Sequence, residues 1–241
     1  MRSETKQSGT HENSAELYTD GSYLKNNPSW GVEDSPWKAA QIAKILRRNS
    51  IVPTSIGEIG CGAGEILKQL SLSYPKSEFS GYEISPQAFK LSASRVADNI
   101  HFYLKNLVEE DVFFDTLLCI DVFEHVEDYF GFIRKIKNKA QYKIFHIPLD
   151  LSVLSVVRAQ MMTAREGVGH LHYFSKETAI ATLIDCGYEV IDSFYTTAFN
   201  DIPATKLRTR LARFPRKLLY SFSQDWGARL LGGSSLLVLA K

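Results

Sequence analysis

The sequence predicts an α/β fold in which parallel strands form one sheet and helices cover both of its faces. Short apolar runs alternate with segments of helical periodicity from residue 55 onward, which is typical of strand–helix–strand units. A glycine-rich turn at 60–64 stands between the first apolar run and the helical segment that follows it. The length of 241 residues suits one large α/β domain.

Composition excludes several classes of protein. Hydrophobic residues make up 44% and charged residues 23% of the chain, which rules out a fully disordered chain, a collagen-like fibre and a disulfide scaffold. Cys61, Cys119 and Cys186 lie far apart without a CxxC pair, so we expect no structural zinc site and a reducing, cytoplasmic location. The net charge of +1 predicts no general attraction to nucleic acid. No signal peptide or membrane span is expected.

The chain begins with a polar stretch, residues 1–16, that predicts a flexible tail. The domain is expected to span 17–241, and its first part, 17–50, predicts an N-terminal helical cap. The cap is rich in aromatic residues, which are Tyr18, Tyr23, Trp30 and Trp37. Two interpretations stay open for these rings: they cover the ligand and exclude water, or they pack on the sheet edge.

The helices and strands follow in regular order. Ser35 predicts an N-cap and Pro36 the first position of a helix at 36–48. Later helices are expected at about 63–72, 86–96, 128–139 and 175–186, the last stopped by Gly187. Strands are expected at 55–59, 78–84, 100–104, 115–120, 142–147, 188–195 and 234–240. A helical insertion, 196–233, precedes the last strand.

The glycine turn has the spacing GxGxG, in the segment EIGCGAG at 58–64. A dinucleotide-binding loop would read GxGxxG, but Glu65 occupies the place of its third glycine. Glu58 stands two residues before the first glycine, and a carboxylate disfavours a pyrophosphate but favours a ligand with positive charge. The turn therefore argues against NAD.

Two further carboxylates follow predicted strands. Glu83 comes nineteen residues after Gly64, where an acidic side chain can accept both hydrogen bonds of a ribose diol. Asp121 follows the fourth strand. Ligands bind beyond the carboxyl ends of parallel strands, so Glu58, Glu83 and Asp121 are expected to converge on one crevice. Taken singly, each of the three is also consistent with a carboxylate that simply lies in a solvated loop.

Four segments in this order resemble the class I S-adenosylmethionine-dependent methyltransferases, and more narrowly the subgroup acting on small molecules. They are EIGCGAG at 58–64, GYEIS at 81–85, DVFEHVED at 121–128 and GHLHYFS at 169–175. The resemblance implies a doubly wound, Rossmann-like sheet of seven mostly parallel strands, in which the last strand is antiparallel. It implies methyl transfer to a small molecule, with the acceptor atom (O, N or C) left open. The alternatives are a non-catalytic cofactor-binding regulatory module, and an RNA or protein methyltransferase.

The resemblance also implies how S-adenosylmethionine, or its product S-adenosylhomocysteine, is held. The glycine loop would hold the methionine part, Glu83 the ribose hydroxyls, and Ile84 would pack on adenine. Asn106 stands where the family often has an aspartate for the adenine amino group, and its amide oxygen can still accept that bond. The cofactor-binding residues expected are Glu58, Gly60, Cys61, Gly62, Gly64, Glu83, Ile84, Asn106, Leu107, Asp121 and Val122.

Histidines raise two questions about chemistry. His125 is the catalytic candidate, as a base for a hydroxyl or amine acceptor, and the alternative is that it holds its loop in place. His170 and His172 form an HxH pair, with His146 and Asp150 as further candidate metal ligands. No third ligand follows at a fixed spacing and the HLHYFS segment resembles an acceptor-pocket border, so no metal is expected.

Two apolar segments leave their role open. Val153 to Val157, with Met161 and Met162, form either a lid over an apolar substrate or ordinary core. In the basic segment 206–217, which has six basic residues and no acid, apolar residues recur at helical spacing, namely Leu207, Leu211, Phe214, Leu218 and Phe222. Either this apolar stripe packs on the domain, or the segment attracts an anionic acceptor, an acidic partner or membrane headgroups. The oligomeric state is left open.

Overall fold

The computed structural model of the chain describes residues 27–202 and 207–241. The predicted tail at 1–16, the cap residues Tyr18 and Tyr23, and Lys206 of the basic segment lie outside the described residues.

Seven strands form the centre of the molecule, as the sequence predicts. They are β1 (Ser55–Ile59), β2 (Glu78–Glu83), β3 (Ile100–Leu104), β4 (Phe114–Ile120), β5 (Ala140–Pro148), β6 (Val190–Thr196) and β7 (Ser235–Ala240). One sheet contains them all in the order β3-β2-β1-β4-β5-β7-β6. Neighbours from β3 to β5 are parallel, and β7 is antiparallel to both β5 and β6. The expectation of a mostly parallel sheet with an antiparallel last strand is confirmed.

Ten helices are described. They are α1 (Ser35–Arg48), α2 (Glu65–Ser73), α3 (Pro86–Ser92), α4 (Tyr129–Ile136), α5 (Val153–Val157), α6 (Gln160–Gly167), α7 (Lys176–Asp185), α8 (Ala198–Asp201), α9 (Leu207–Phe222) and α10 (Gln224–Leu231). Short 3₁₀ turns follow α3, β3, β4 and α4. The insertion before β7 is helical, as expected.

Both faces of the sheet are covered. On one face α1 and α2 pack over a fully buried cluster that includes Ile56, Phe79 and Leu118. On the other face α4 and α7 pack over a second cluster around Leu117 and Phe145. Adjacent residues such as Leu117 and Leu118 belong to different clusters because successive side chains of a strand point to opposite faces. The doubly wound arrangement is confirmed.

Local capping explains where several helices begin. The Ser85 hydroxyl accepts the Ala88 N–H with Pro86 at the first position of α3, and the Ser175 hydroxyl caps α7. The expected N-cap at Ser35 is wrong: α1 begins at Ser35, whose hydroxyl donates to the carbonyl of Gly31 at 3.0 Å.

Three other expectations need correction. Helix α2 begins at Glu65 and not at 63, because Gly64 before it has a left-handed backbone with φ of +78°. Helices α5 and α6 were not predicted as helices. The core interpretation of their apolar residues is wrong for Val153, Val157 and Met162, which are exposed.

The stripe of the basic segment is exposed in the part that the structure describes. Phe214, Leu218 and Phe222 of α9 face solvent, so the expectation that they pack on the domain is wrong. Tyr220 of α9 is buried instead, and it packs against Phe199 and α10. Pro215 lies inside α9, which continues through it to Phe222.

No helix in the described ranges combines the length and the apolar character that a membrane crossing requires.

Candidate active site

A pocket of about 760 Å³ opens beyond the carboxyl ends of β1, β2 and β4. Crevices of this size are ordinary for cofactor and ligand binding. The predicted residues that line it are Glu58, Gly60, Cys61, Gly62, Glu83, Ile84, Asn106, Leu107, Asp121, Val122 and His125. The convergence predicted from three strand ends is therefore what the structure shows.

Gly64 departs from the prediction that it holds the cofactor. It faces away from the pocket, and a Cβ atom placed there would lie 2.4 Å from the ring of Phe102 and 3.2 Å from Ser92. At Gly62, which lines the pocket, the nearest atoms to such a Cβ are 3.9 Å away, in Trp30. Gly64 is thus required by helix–sheet packing, whereas Gly62 leaves the backbone open to a ligand.

Glu83 fixes the glycine turn. One carboxylate oxygen accepts the Gly62 N–H and the other the Ser85 N–H, each at 2.8 Å. Burial raises the pKa of Glu83, and these two hydrogen bonds oppose that rise. Each carboxylate oxygen has a second lone pair, so both can still accept a ribose hydroxyl.

Glu58 lies at the end of β1 with 1% of its surface exposed, and its Oε2 atom has no hydrogen-bond partner among the described residues. Burial, followed by the neighbouring charge of Glu83, raises the pKa of Glu58 well above its usual range, and Lys38 opposes the rise. A buried carboxylate without a partner is costly in the free protein, and a cationic ligand in the pocket would offset that cost.

Asp121 is held in place by long-range contacts. Its two oxygens bind Lys38 Nζ at 2.7 Å and His146 Nδ1 at 2.6 Å, and the other nitrogen of His146 bonds to the Thr196 hydroxyl at 2.8 Å. Burial favours the neutral acid, but His146 and Lys38 together hold the pKa of Asp121 far below its usual range. The Asp121 backbone is left-handed, with φ of 53°.

Lys38 is a pocket residue that sequence reasoning missed. Burial lowers the pKa of Lys38, but the Asp121 carboxylate more than offsets this and the net shift is upward. Its signal was present in the sequence: Lys38 precedes Ile42 by four and Ile45 by seven residues, which puts it on the buried stripe of α1.

The residues predicted to hold adenine line the other end of the pocket. Ile84 is exposed toward it, and Leu107 forms a buried wall. The Asn106 amide oxygen accepts the Val108 N–H at 3.2 Å and retains a second lone pair. Trp30 of the cap lines the pocket, whereas Trp37 packs edge-on against His146. Trp30 is thus placed to cover a ligand, whereas Trp37 packs on β5 in the interior of the sheet and not on an edge strand.

Two histidines lie together beside the pocket, and two others bond elsewhere. His125 and His170 lie edge-to-face with ring centroids 4.8 Å apart, beside the buried Glu124. His146 is bound to Asp121, and His172 bonds to the Val126 carbonyl at 2.9 Å. His170 and His172 therefore do not point to a common site, although they form the HxH pattern. Burial, followed by the charge of His170, lowers the pKa of His125 to about 4, so its imidazole is neutral at pH 7.

Comparison with known proteins gives a domain match and a shared fold. Residues 58–140 match a family model described as a methyltransferase domain. No curated protein sequence matches the chain.

Solved structures share the fold at low sequence identity. A putative methyltransferase of Haloferax volcanii, solved in complex with the Trm112 methyltransferase activator, is 15% identical with a TM-score of 0.64, over 95% of this chain and 96% of that one. The magnesium protoporphyrin IX methyltransferase ChlM of Synechocystis PCC 6803, with bound SAM, is 12% identical with a TM-score of 0.61, over 97% and 99%. The plantazolicin methyltransferase BpumL, with SAH and a substrate analogue, is 14% identical with a TM-score of 0.60, over 94% and 92%.

Proposed function

We propose that this chain, a class I S-adenosylmethionine-dependent methyltransferase by its matched domain and its fold, transfers the methyl group to a small-molecule acceptor. Its cofactor is S-adenosylmethionine and its product S-adenosylhomocysteine. The pocket volume of about 760 Å³ supports a small acceptor, because the cofactor occupies much of it. One structural neighbour is named for magnesium protoporphyrin IX, which is a small molecule. A cytoplasmic location stays a prediction.

The observation that carries this proposal is the pair of buried carboxylates on adjacent strands. Glu83 accepts the ribose hydroxyls, and the unpartnered oxygen of Glu58 faces the positively charged methionine part of the cofactor. Ile84 and Leu107 hold adenine between apolar surfaces, and the Asn106 amide oxygen accepts a hydrogen bond from the adenine amino group. The remaining contacts come from the loop and the end of β4, through Gly60, Cys61, Gly62, Asp121 and Val122.

His125 lies on the acceptor side of the pocket, in the turn that follows Asp121 and Val122. Its Nδ1 bonds to the Gly169 carbonyl at 3.1 Å, so the proton is on Nδ1 and the ring lone pair is on Nε2. Methyl transfer is an in-line displacement that depends mainly on positioning, and His125 contributes to it at the acceptor atom.

The test combines binding with turnover. S-adenosylhomocysteine at millimolar concentration should raise the melting temperature, because it binds only the native state, and NAD should not. Glu58→Gln, which keeps the shape and removes the charge, should weaken this response. A panel of small hydroxyl, amine and carbon acceptors then tests transfer.

Three results would oppose the proposal in different ways. If S-adenosylhomocysteine produces no thermal shift, cofactor binding itself is refuted. Binding without turnover on any acceptor would favour the regulatory module. Turnover on RNA or protein alone would favour the other alternative.

A second candidate function is weak association with an anionic membrane surface. Phe222 is 80% and Trp226 59% exposed at the junction of α9 and α10, and Lys217 of α9 is exposed as well. Exposed aromatic residues next to basic ones are typical of surfaces that lie on headgroups. Vesicles with anionic lipid should sediment the protein at low salt, and Phe222→Ser should weaken this. No sedimentation at about 0.02 M salt, where screening is weak, would refute it.

A further inference from the structure

Glu124 is a buried carboxylate that the cofactor contacts above do not use. Only 1% of its surface is exposed, and neither carboxylate oxygen has a hydrogen-bond partner among the described residues. Its Oε1 atom lies 3.9 Å from His125 Nε2, beyond hydrogen-bond distance. Leaving both oxygens of a buried carboxylate unsatisfied is costly, so the position calls for a ligand.

The two histidines beside it are oriented in the way that metal-binding histidines are. His125 Nδ1 bonds to the Gly169 carbonyl at 3.1 Å, and His170 Nδ1 bonds to Asp150 Oδ2 at 2.5 Å. A proton on Nδ1, donated to a carbonyl or a carboxylate, places the lone pair of each ring on Nε2. Glu124, His125 and His170 offer ligand atoms that all lie within 4.8 Å of one another.

The backbone holds these side chains together. The carbonyl of Glu124 accepts the N–H groups of Leu171 and His172, at 2.8 and 3.1 Å. His172 adds a hydrogen bond to Val126, and its ring packs on Tyr129 at 4.3 Å. The loop that carries His170 is thus joined to the turn that carries Glu124 and His125 by contacts that do not involve the three side chains.

We propose that Glu124, His125 and His170 bind one divalent transition-metal ion beside the cofactor pocket. Two imidazole nitrogens and one carboxylate oxygen are a donor set that suits Zn²⁺, and three protein ligands leave a position open. Zn–N bonds of about 2.0–2.1 Å put tetrahedral ligand atoms about 3.4 Å apart, so the ligand atoms approach one another on binding. Asp150 orients His170 from behind.

This inference rests on the proposed function and specifies its acceptor as a hydroxyl compound. His125 and His170 line the pocket, so the open position can take the acceptor oxygen. Coordination lowers the pKa of the hydroxyl, which releases its proton to water. The oxygen then forms a bond to the methyl carbon, while the carbon–sulfur bond breaks and its electron pair stays on sulfur, giving neutral S-adenosylhomocysteine.

Titration of ZnCl₂ into the chelator-treated protein, followed by calorimetry, tests the site directly. We expect one Zn²⁺ per chain, and binding weakened at least tenfold by His170→Ala and by Glu124→Gln. The matched control is His172→Gln, which removes a histidine from the same loop and retains a donor to Val126; it should bind Zn²⁺ as the native protein does. Absence of Zn²⁺ binding by the native protein, or equal loss in the control, would overturn the site.

A second measurement does not depend on the variants folding. Co²⁺ bound to the native protein should show the visible absorption of nitrogen and oxygen ligands. An intense thiolate band would assign the metal to Cys61, Cys119 or Cys186 and refute the proposal.

S-adenosylhomocysteine affinity, measured on the same samples, separates the two proposals. Cofactor binding with no Zn²⁺ binding refutes the metal site and leaves the proposed function standing. Zn²⁺ binding with no cofactor binding refutes the proposed function, and with it the hydroxyl acceptor, but not the metal site.

Discussion

Replacing Glu83 with glutamine tests the role of that residue in both the loop and the cofactor site. An amide retains one acceptor oxygen but puts an NH₂ group where the other oxygen accepted a backbone N–H, from Gly62 or Ser85 at 2.8 Å. The side-chain NH₂ and the backbone N–H then face each other, and neither has an acceptor. The same change removes the acceptor for one ribose hydroxyl in the proposed complex.

The magnitude follows from hydrogen bonds to a charged acceptor, which contribute about 1.5–3 kcal/mol each. Burial raises the pKa of Glu83, so removing its charge also removes a desolvation cost, which offsets part of the lost hydrogen-bond energy. We therefore expect the unfolding free energy to fall by about 1.5 kcal/mol. For a domain of this size, that lowers the melting temperature by about 3–6 °C. Cofactor affinity should fall by about 1–3 kcal/mol, which is about 5- to 150-fold.

Calorimetry with S-adenosylhomocysteine measures the affinity, and thermal unfolding of the free protein measures the stability. Glu78→Gln is the matched control, because it makes the same change at the exposed start of the same strand, and it should alter neither quantity. Affinity of Glu83→Gln within about twofold of the native value, which is about 0.4 kcal/mol, would mean that the ribose lies elsewhere.

Three further predictions follow from individual contacts. Gly64→Ala should destabilise the protein more than Gly62→Ala in denaturant unfolding. Both glycines have a left-handed backbone, which costs about 1–2 kcal/mol, but a Cβ at Gly64 would clash with the Phe102 ring at 2.4 Å, whereas a Cβ at Gly62 would make an ordinary contact with Trp30 at 3.9 Å. Equal losses would contradict this. Burial lowers the pKa of Lys143 to about 8, so the folded state binds fewer protons than the unfolded state between about pH 8 and 10.4, and below pH 8 it carries a buried charge. Lys143→Met should therefore raise stability at pH 7 by about 2–3 kcal/mol, a gain that shrinks between about pH 8 and 10.4; a constant difference would exclude the titration. His125→Ala should leave S-adenosylhomocysteine affinity nearly unchanged and lower turnover by about 100-fold or more, and equal loss of both would mean that His125 only shapes its loop.

The parts of the fold that the sequence predicts best depend on local signals. Strands β1 and β3 occupy the predicted residues, because apolar runs and turn residues bound them directly. The glycine turn was recognised from its place between a strand and a helix, and Glu83 and Asp121 from their places after strands. Each of these inferences uses only a few neighbouring residues and the rule that parallel strands end at one edge.

What the sequence did not reveal depends on contacts between distant segments. Lys38 and Asp121 are 83 residues apart in the chain, and their ion pair at 2.7 Å has no local signature. Glu124 and His170 belong to different loops, so the HxH spacing drew attention to His172 beside His170, whereas the structure brings Glu124 and His125 close to His170. The exposure of Phe222 was missed for the same reason, since helical periodicity defines a stripe but not what covers it.

Buried carboxylates connect the fold to its chemistry. Glu58, Glu83 and Glu124 each have a raised pKa, and burial is the first cause in all three. Lys38, whose charge acts on both Glu58 and Glu124, is already paired with Asp121. Glu83 has two backbone donors, but Glu58 Oε2 and both oxygens of Glu124 have no hydrogen-bond partner among the described residues, and buried charge without a partner is destabilising. A cationic cofactor at Glu58 and a metal ion at Glu124 would each repay that cost, so stabilisation by the two ligands should be additive if the sites are independent.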